Sequence, residues 1–247
     1  MLLREHKPIG DNTHYAGWPY VMNEMVQYRT SDGILLEDFT DAAFSYRSLN
    51  APITQPWVGI FHHPVHVTSH LANDYQYQLA NMLRHKHWKD SVKHLKGSIA
   101  LCHNVGSWIT DNLKVPTLVI KHPTRWPEST WAGGLKKVVQ IGYCLRDTRF
   151  IHKQRLIPPW TRMKLSTGDE QYHKRDQALK TVQRDSNDND SFEIRHQVSP
   201  EEYESILLNC VVCTYLYGAA ANNVIIECMV HGTPLIVNPL QSVVEYL

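Results

Sequence analysis

Short apolar runs alternate with segments of helical period along most of this chain, and that spacing constrains the fold more than any other feature. Gly33-Ile34-Leu35-Leu36-Glu37 is followed by Pro56-Trp57-Val58-Gly59-Ile60-Phe61, which ends at His62-His63-Pro64. From Asn73 to His85, Tyr77, Leu79, Ala80, Met82 and Leu83 fit one face of a helix. Ser98 to Cys102 then predicts a strand, Ser107 to Leu113 a short helix, and Pro116 to Ile120 another strand. Parallel strands need crossover connections of about this length, so the pattern predicts an α/β protein with mainly parallel sheets. Few of the runs alternate cleanly, as expected when both faces of a sheet are covered.

The texture changes after His122. Pro and Gly punctuate the chain through Gly133-Gly134, which suits a connection between domains, and a new strand opens at Lys137-Val138-Val139-Gln140-Ile141-Gly142. Two Rossmann-like lobes are therefore predicted, one over residues 1–125 and one over 135–247. Within the second, the polar stretch from Ser166 to Asp190 predicts an exposed loop. Ser199-Pro200-Glu201-Glu202 is a helix start, with a capping hydroxyl, Pro at the first position and Glu three residues after the cap. Cys210 to Leu216 predicts a buried strand. Asn222 or Asn223 would cap a helix through Val230 that Gly232 closes, before a last strand at Leu235-Ile236-Val237.

Composition excludes several classes. With 25 Lys+Arg against 24 Asp+Glu, no basic field for nucleic acid is present. No apolar run reaches the length of a signal peptide core or a transmembrane helix. Five cysteines, odd in number and thinly spread, do not form a disulfide framework, so a cytoplasmic, reducing compartment is expected. Cys210 and Cys213 form a C-x-x-C inside an apolar strand, where packing rather than redox chemistry is expected.

Two segments carry chemistry. In Tyr217-Gly218-Ala219-Ala220-Ala221-Asn222-Asn223-Val224-Ile225-Ile226-Glu227, small residues lead from a strand into a helix. A helix N-terminus there offers free N–H groups and a positive dipole end to a phosphate, and Glu227, one turn inside, suits a ribose diol. The competing reading is a capped helix packed on a sheet, with Glu227 merely exposed. The other segment belongs to the 15 histidines: His62, His63, His66 and His70 lie close together, as do His85 and His87. Glu37, Asp38 and Asp41 end the preceding strand. A metal-dependent hydrolase using the His62–His70 cluster is one reading; scattered loop histidines, with no metal, is the other.

The string Ile226-Glu227-Cys228-Met229-Val230-His231-Gly232-Thr233-Pro234-Leu235-Ile236-Val237 resembles the donor-site motif of GT-B glycosyltransferases, most closely family 4. Val243-Val244-Glu245, the strand at Val139-Gln140-Ile141-Gly142 with Arg146 and Lys153 after it, and the first-lobe order from Trp57 to Thr124 are similar to that family as well. The resemblance implies an acceptor-side first lobe and a donor-nucleotide second lobe. A nucleoside-diphosphate sugar would be the donor substrate, with no further cofactor, and a sugar, glycan or lipid-linked hydroxyl the acceptor, with retention at the anomeric carbon. Glu227 would hold the ribose, and Arg146, Lys153 and the Asn222–Asn223 helix start the diphosphate. His62 or His63 would face the donor sugar across the cleft, and Asp38 or Asp41 would orient the acceptor or act as general base. Taken alone, Arg146 and Lys153 read equally as part of a solvated basic helix with Arg149 and Arg155, and the aspartates as loop caps. The chain departs from the family at Ala219, where a second Glu is usual, and at Arg146, which follows Gly142 by four residues. Gly17-Trp18 is its candidate for the family's N-terminal Gly-rich turn. By comparison with the family the second lobe is expected to be incomplete, so a non-catalytic nucleotide-sugar-binding fragment is the further alternative.

Overall fold

A computed structural model describes residues 1–3, 17–47, 49–68, 76–142, 145–166, 192–196 and 198–247. Two five-stranded sheets form, one in each half. The first contains β1 (Leu2–Leu3), β2 (Leu35–Glu37), β3 (Trp57–Phe61), β4 (Leu95–Ala100) and β5 (Thr117–Val119), in that spatial order and with every pair parallel. Between them run the helices α1 (Trp18–Val26), α2 (Thr40–Ala43), α3 (Leu79–Met82), α4 (Trp88–Ser91) and α5 (His103–Leu113). The second sheet contains β6 (Lys137–Ile141), β7 (Thr161–Ser166), β8 (Phe192–His196), β9 (Val211–Thr214) and β10 (Leu235–Val237), with α6 (Pro200–Asn209), α7 (Asn223–His231) and α8 (Gln241–Val244). Its order is β10-β9-β6-β7-β8, again all parallel. The two parallel α/β sheets are those expected from the spacing of apolar runs.

Each sheet is buried by its own core. In the first, Trp57, Phe44 and Trp88 pack with Phe61, Leu79 and Met82, and the Trp57 indole N–H donates to the Ser91 carbonyl at 2.8 Å. In the second, Val139, Ile141, Met163 and Leu165 meet Tyr203, Leu207 and Cys228 from α6 and α7. Cys210 and Cys213 are wholly buried and free, in keeping with a packing role.

Local chemistry accounts for several element ends. The Ser199 hydroxyl accepts from the Glu202 N–H at 3.2 Å, Asn222 accepts from the Ile225 N–H at 3.3 Å, and Gly232 closes α7 with φ +71°, a conformation that suits glycine. Elsewhere the structure corrects the sequence reading. α5 begins at His103 rather than Ser107, because its first N–H groups are met from the other lobe: those of His103 and Asn104 donate to Glu245 at 2.6 and 3.3 Å. The helix expected from Asn73 to His85 contracts to Leu79–Met82, residues 73–75 lying outside the described residues. The stretch after Gly142 is not a basic helix; it holds a 3₁₀ turn at Phe150–Lys153. β7 and β8 were not expected, since Arg162 and Lys164 interrupt the apolar pattern of the former. Residues 167–190 of the expected polar loop are outside the described residues, and no described helix is long and apolar enough to cross a membrane.

The lobes touch through specific bonds. The Thr68 N–H donates to the Tyr217 carbonyl at 2.9 Å, and a Cβ on Gly218 would stand 2.7 Å from the His66 carbonyl oxygen. The Tyr246 hydroxyl, just after α8, donates to the Leu101 carbonyl and accepts from the His122 N–H, both at 2.8 Å.

Candidate functional site

In the second sheet the strand order reverses between β6 and β9. Open parallel sheets bind ligands outside the carboxyl ends of their strands at such a reversal, because the connections leave the two strands in opposite directions and open a crevice. The residues following these two strands meet there. The Asp147 N–H donates to the Tyr215 carbonyl at 2.9 Å and the Tyr217 N–H to the Leu145 carbonyl at 2.8 Å, so Arg146 bridges antiparallel to Leu216. This pairing fixes the loop that carries Arg146. Buried Gln140 adds two further ties, its amide donating to the Asp147 carbonyl and its oxygen accepting from the Ile151 N–H.

The guanidinium of Arg146 lies across Gly142, where a Cβ would stand only 2.2 Å from Nη1. Its Nη2 is 3.4 Å from the Asn222 side-chain oxygen, the same oxygen that caps α7. Arg146 and the start of α7 are therefore brought together. Glu227 is 3% exposed, not on the surface, and accepts a hydrogen bond from the Tyr203 hydroxyl of α6. Burial beside the Glu227 carboxylate pushes the Tyr203 hydroxyl well above its ordinary pKa, with Arg146 acting weakly the other way. Lys153 stands apart: its side chain is 61% exposed and its ammonium pairs with Asp147 at 2.6 Å.

Across the crevice stands the first lobe. Gly17 adopts φ +85°, and a Cβ there would stand 3.1 Å from His122 Cε1 and 3.2 Å from the Asn223 side-chain oxygen, so glycine lets the lobes meet. Trp18 packs edge-on to both His62 and His122, which are 6.4 Å apart, and its indole N–H donates to the Asp38 carboxylate at 3.2 Å. The His62 Nε2 is 2.9 Å from the Asp38 carbonyl. A carbonyl only accepts, so Nε2 carries the proton and Nδ1 keeps its lone pair. By the same reasoning His122 is protonated at Nδ1, 2.7 Å from the Pro123 carbonyl, and keeps its lone pair at Nε2.

His63 turns elsewhere. Its Nδ1 is 3.0 Å from the Asp41 carboxylate and its ring packs against Tyr46 and Tyr77. The other Asp41 oxygen accepts from the His62 N–H at 2.8 Å. The carboxylate that joins both histidines is thus Asp41, at the start of α2, rather than Asp38. Among the described residues no group of three metal-ligating side chains converges; His70 of the expected cluster lies outside them.

Burial pushes the His62 imidazole down to about 4, although Asp41 favours its charged form, and burial also lowers His122. The Asp41 carboxyl is raised by burial, but the charge and hydrogen bond of His63, with His62, hold it below the ordinary range. Because folded His62 takes its proton only near pH 4, the unfolded chain binds more protons between there and its ordinary 6.5. Stability from this group is complete above pH 6.5 and falls by roughly 2–3 kcal/mol as the pH drops to 4. Asp41 adds a loss at still lower pH. A His62→Gln variant should show a flatter denaturant midpoint between pH 6.5 and 4 than the native chain; equal slopes would remove His62 as the cause.

Several partners escaped the sequence reading. Tyr203 carries no motif, and nothing local marks His122 or Glu245 as a contact between the lobes.

No family model matches the chain, and no curated protein matches it. Solved structures do. TarM is similar over 84% of this chain and 41% of its own, with 14% identity and a TM-score of 0.54. The pneumococcal O-GlcNAc transferase GtfA, solved in complex with UDP and GlcNAc, matches over 75% of this chain and 38% of its own, with 10% identity and a TM-score of 0.52. OtsA in its apo form matches over 88% and 60%, with 9% identity and a TM-score of 0.51. The likeness is one of fold. The chain has the two-lobed GT-B architecture and spans well under half the length of TarM and GtfA.

Proposed function

We propose that the crevice between the lobes binds a nucleoside-diphosphate sugar and transfers its glycosyl group to a hydroxyl acceptor. What supports the reading most is the single constellation at the strand reversal, where Arg146 lies across Gly142 against the Asn222 cap of the helix that carries Glu227. A guanidinium and a helix N-terminus on one spot meet a diphosphate that gains negative charge as it leaves. Opposite, the neutral imidazoles of His62 and His122 carry acceptor lone pairs, which suits sugar hydroxyls that donate. The family 4 resemblance adds ribose binding by Glu227 and retention at the anomeric carbon, and the acceptor would be a sugar, a glycan or a lipid-linked hydroxyl. Asp38, held by Trp18, and the Asp41–His63 pair would order the acceptor side.

Calorimetric titration with uridine, guanosine and adenosine diphosphates tests the reading. One of them should bind, and Glu227→Ala should weaken it by roughly 10- to 100-fold, the worth of a hydrogen bond to a charged group. Tyr203→Phe, which removes one hydrogen bond from that carboxylate, should bind at least as well as the native chain. Absence of binding, or a Glu227→Ala variant of native affinity, would sink the assignment. Binding without sugar transfer or donor hydrolysis would leave a nucleotide-sugar-binding protein instead.

A further inference from the structure

Ser199 and Asn222 cap α6 and α7 from within the same lobe, but the carboxylate at the start of α5 comes from the other lobe. The first turn of α5 holds no acidic residue of its own. Glu245, just after α8, supplies one: its two oxygens accept from the N–H groups of His103 and Asn104 at 2.6 and 3.3 Å. Free N–H groups and the positive end of the helix dipole both favour a carboxylate there. The next residue, Tyr246, is 6% exposed and holds two more backbone groups of the first lobe. Its hydroxyl donates to the Leu101 carbonyl, just past β4, and accepts from the His122 N–H, both at 2.8 Å. The Lys121 ammonium stands 5.7 Å from the centre of the same ring. Much of the remaining contact between the lobes is made by small residues. Gly17 and Gly218 let the backbones approach, and Ala220 and Ala221 pack against the clusters of the first lobe. Small side chains bury little area each, so the orientation of the lobes depends on the polar ties.

We propose that Glu245 and Tyr246 form a latch between the lobes, and that the start of α5 and the His122 backbone are released together when the crevice opens. The two residues are adjacent, so a movement of α8 that breaks one set of bonds breaks the other. Once free, the wall that carries Gly17 and His122 parts from the start of α7. The latch acts whatever ligand the crevice takes, and its test needs none.

Amide hydrogen exchange, followed residue by residue by NMR on the full chain, tests the latch in Glu245→Ala, Glu245→Gln and Tyr246→Phe. Glu245→Ala should speed exchange at His103 and Asn104 by roughly 5- to 30-fold, the worth of a helix cap. It should also speed exchange at His122, which Tyr246 holds, and at Thr68, whose N–H donates to the Tyr217 carbonyl at another point of lobe contact. Tyr246→Phe should in turn speed His103 and Asn104, although its hydroxyl touches neither. Glu245→Gln keeps an acceptor without the charge and should fall between the native chain and Glu245→Ala. Amides inside β3 and β9 should exchange at native rates in all three variants, because each sheet keeps its own core. A rise confined to the amides whose own acceptor was removed would mean two unlinked local bonds and would overturn the proposal. An equal rise in β3 and β9 would mean that the lobes do not open separately from unfolding, and would overturn it as well.

Discussion

Replacing Asp41 by alanine is expected to destabilise the first lobe by about 2–4 kcal/mol, the loss of a hydrogen bond to a charged group together with a buried donor left unsatisfied. Asp41 is 1% exposed, and its two oxygens serve two groups: one accepts from the His62 N–H at 2.8 Å, the other lies 3.0 Å from His63 Nδ1. Alanine leaves the buried His62 N–H without its acceptor and removes the carboxylate from beside His63 Nδ1, at a site where Phe39, Tyr46 and Tyr77 pack against the His63 ring. The loss should appear as a lower urea midpoint at unchanged slope. Asp41→Asn keeps an acceptor for the backbone N–H and should lose distinctly less. An Asp41→Ala variant within about 1 kcal/mol of the native chain would mean that the network relaxes without its carboxylate. The same substitution releases the backbone of His62, so the crevice wall formed with Trp18 and His122 should loosen along with the lobe.

Trp57→Ala should have an effect of similar size, for a different reason. The indole is wholly buried, packs against Phe44 and edge-on to Trp88, and closes on the Ser91 carbonyl through its N–H. Ser91 in turn accepts from the Ile53 N–H at 2.9 Å, so one side chain ties β3 to α4 and to the segment before the strand. Truncation to alanine empties the centre of the first core, and about 3–5 kcal/mol is the usual cost of such a cavity. Trp57→Phe should recover most of the packing and lose about 1 kcal/mol for the hydrogen bond. A mild Trp57→Ala phenotype, measured by chemical denaturation, would show that the core collapses around the gap. A Cβ on Gly59 would stand 2.3 Å from Thr40 Oγ1 and 2.9 Å from the Trp57 ring, which explains the glycine inside β3.

How much of this was legible beforehand depends on how local the cause is. The α7 start and end followed from Asn222 and Gly232, because a cap and a left-handed residue act within one turn of the chain. The α6 start followed from Ser199 and Pro200 in the same way. The α5 start was misread because its cap is Glu245, which lies 142 positions from His103 and carries no local signal. Glu227 was picked out by resemblance, but its burial under Tyr203 was not legible, since the two are joined only when α6 packs on α7. Lys153 was named by resemblance alone, and its pairing with Asp147 was not legible. Nor was the bond from Lys164 to the Gly142 carbonyl, which the parallel register of β6 and β7 brings about.

By itself, then, the sequence determined that this chain forms two parallel α/β sheets and where most strands and capped helices fall. Those properties rest on hydrophobic periodicity and on capping chemistry, which act over a few residues. Only the tertiary structure decided the reversal between β6 and β9, the meeting of Gly17, Trp18 and His122 with the second lobe, and the bond from Lys164 to the Gly142 carbonyl. Each depends on strand order and lobe contact between residues far apart in the chain, where no local periodicity can carry the information.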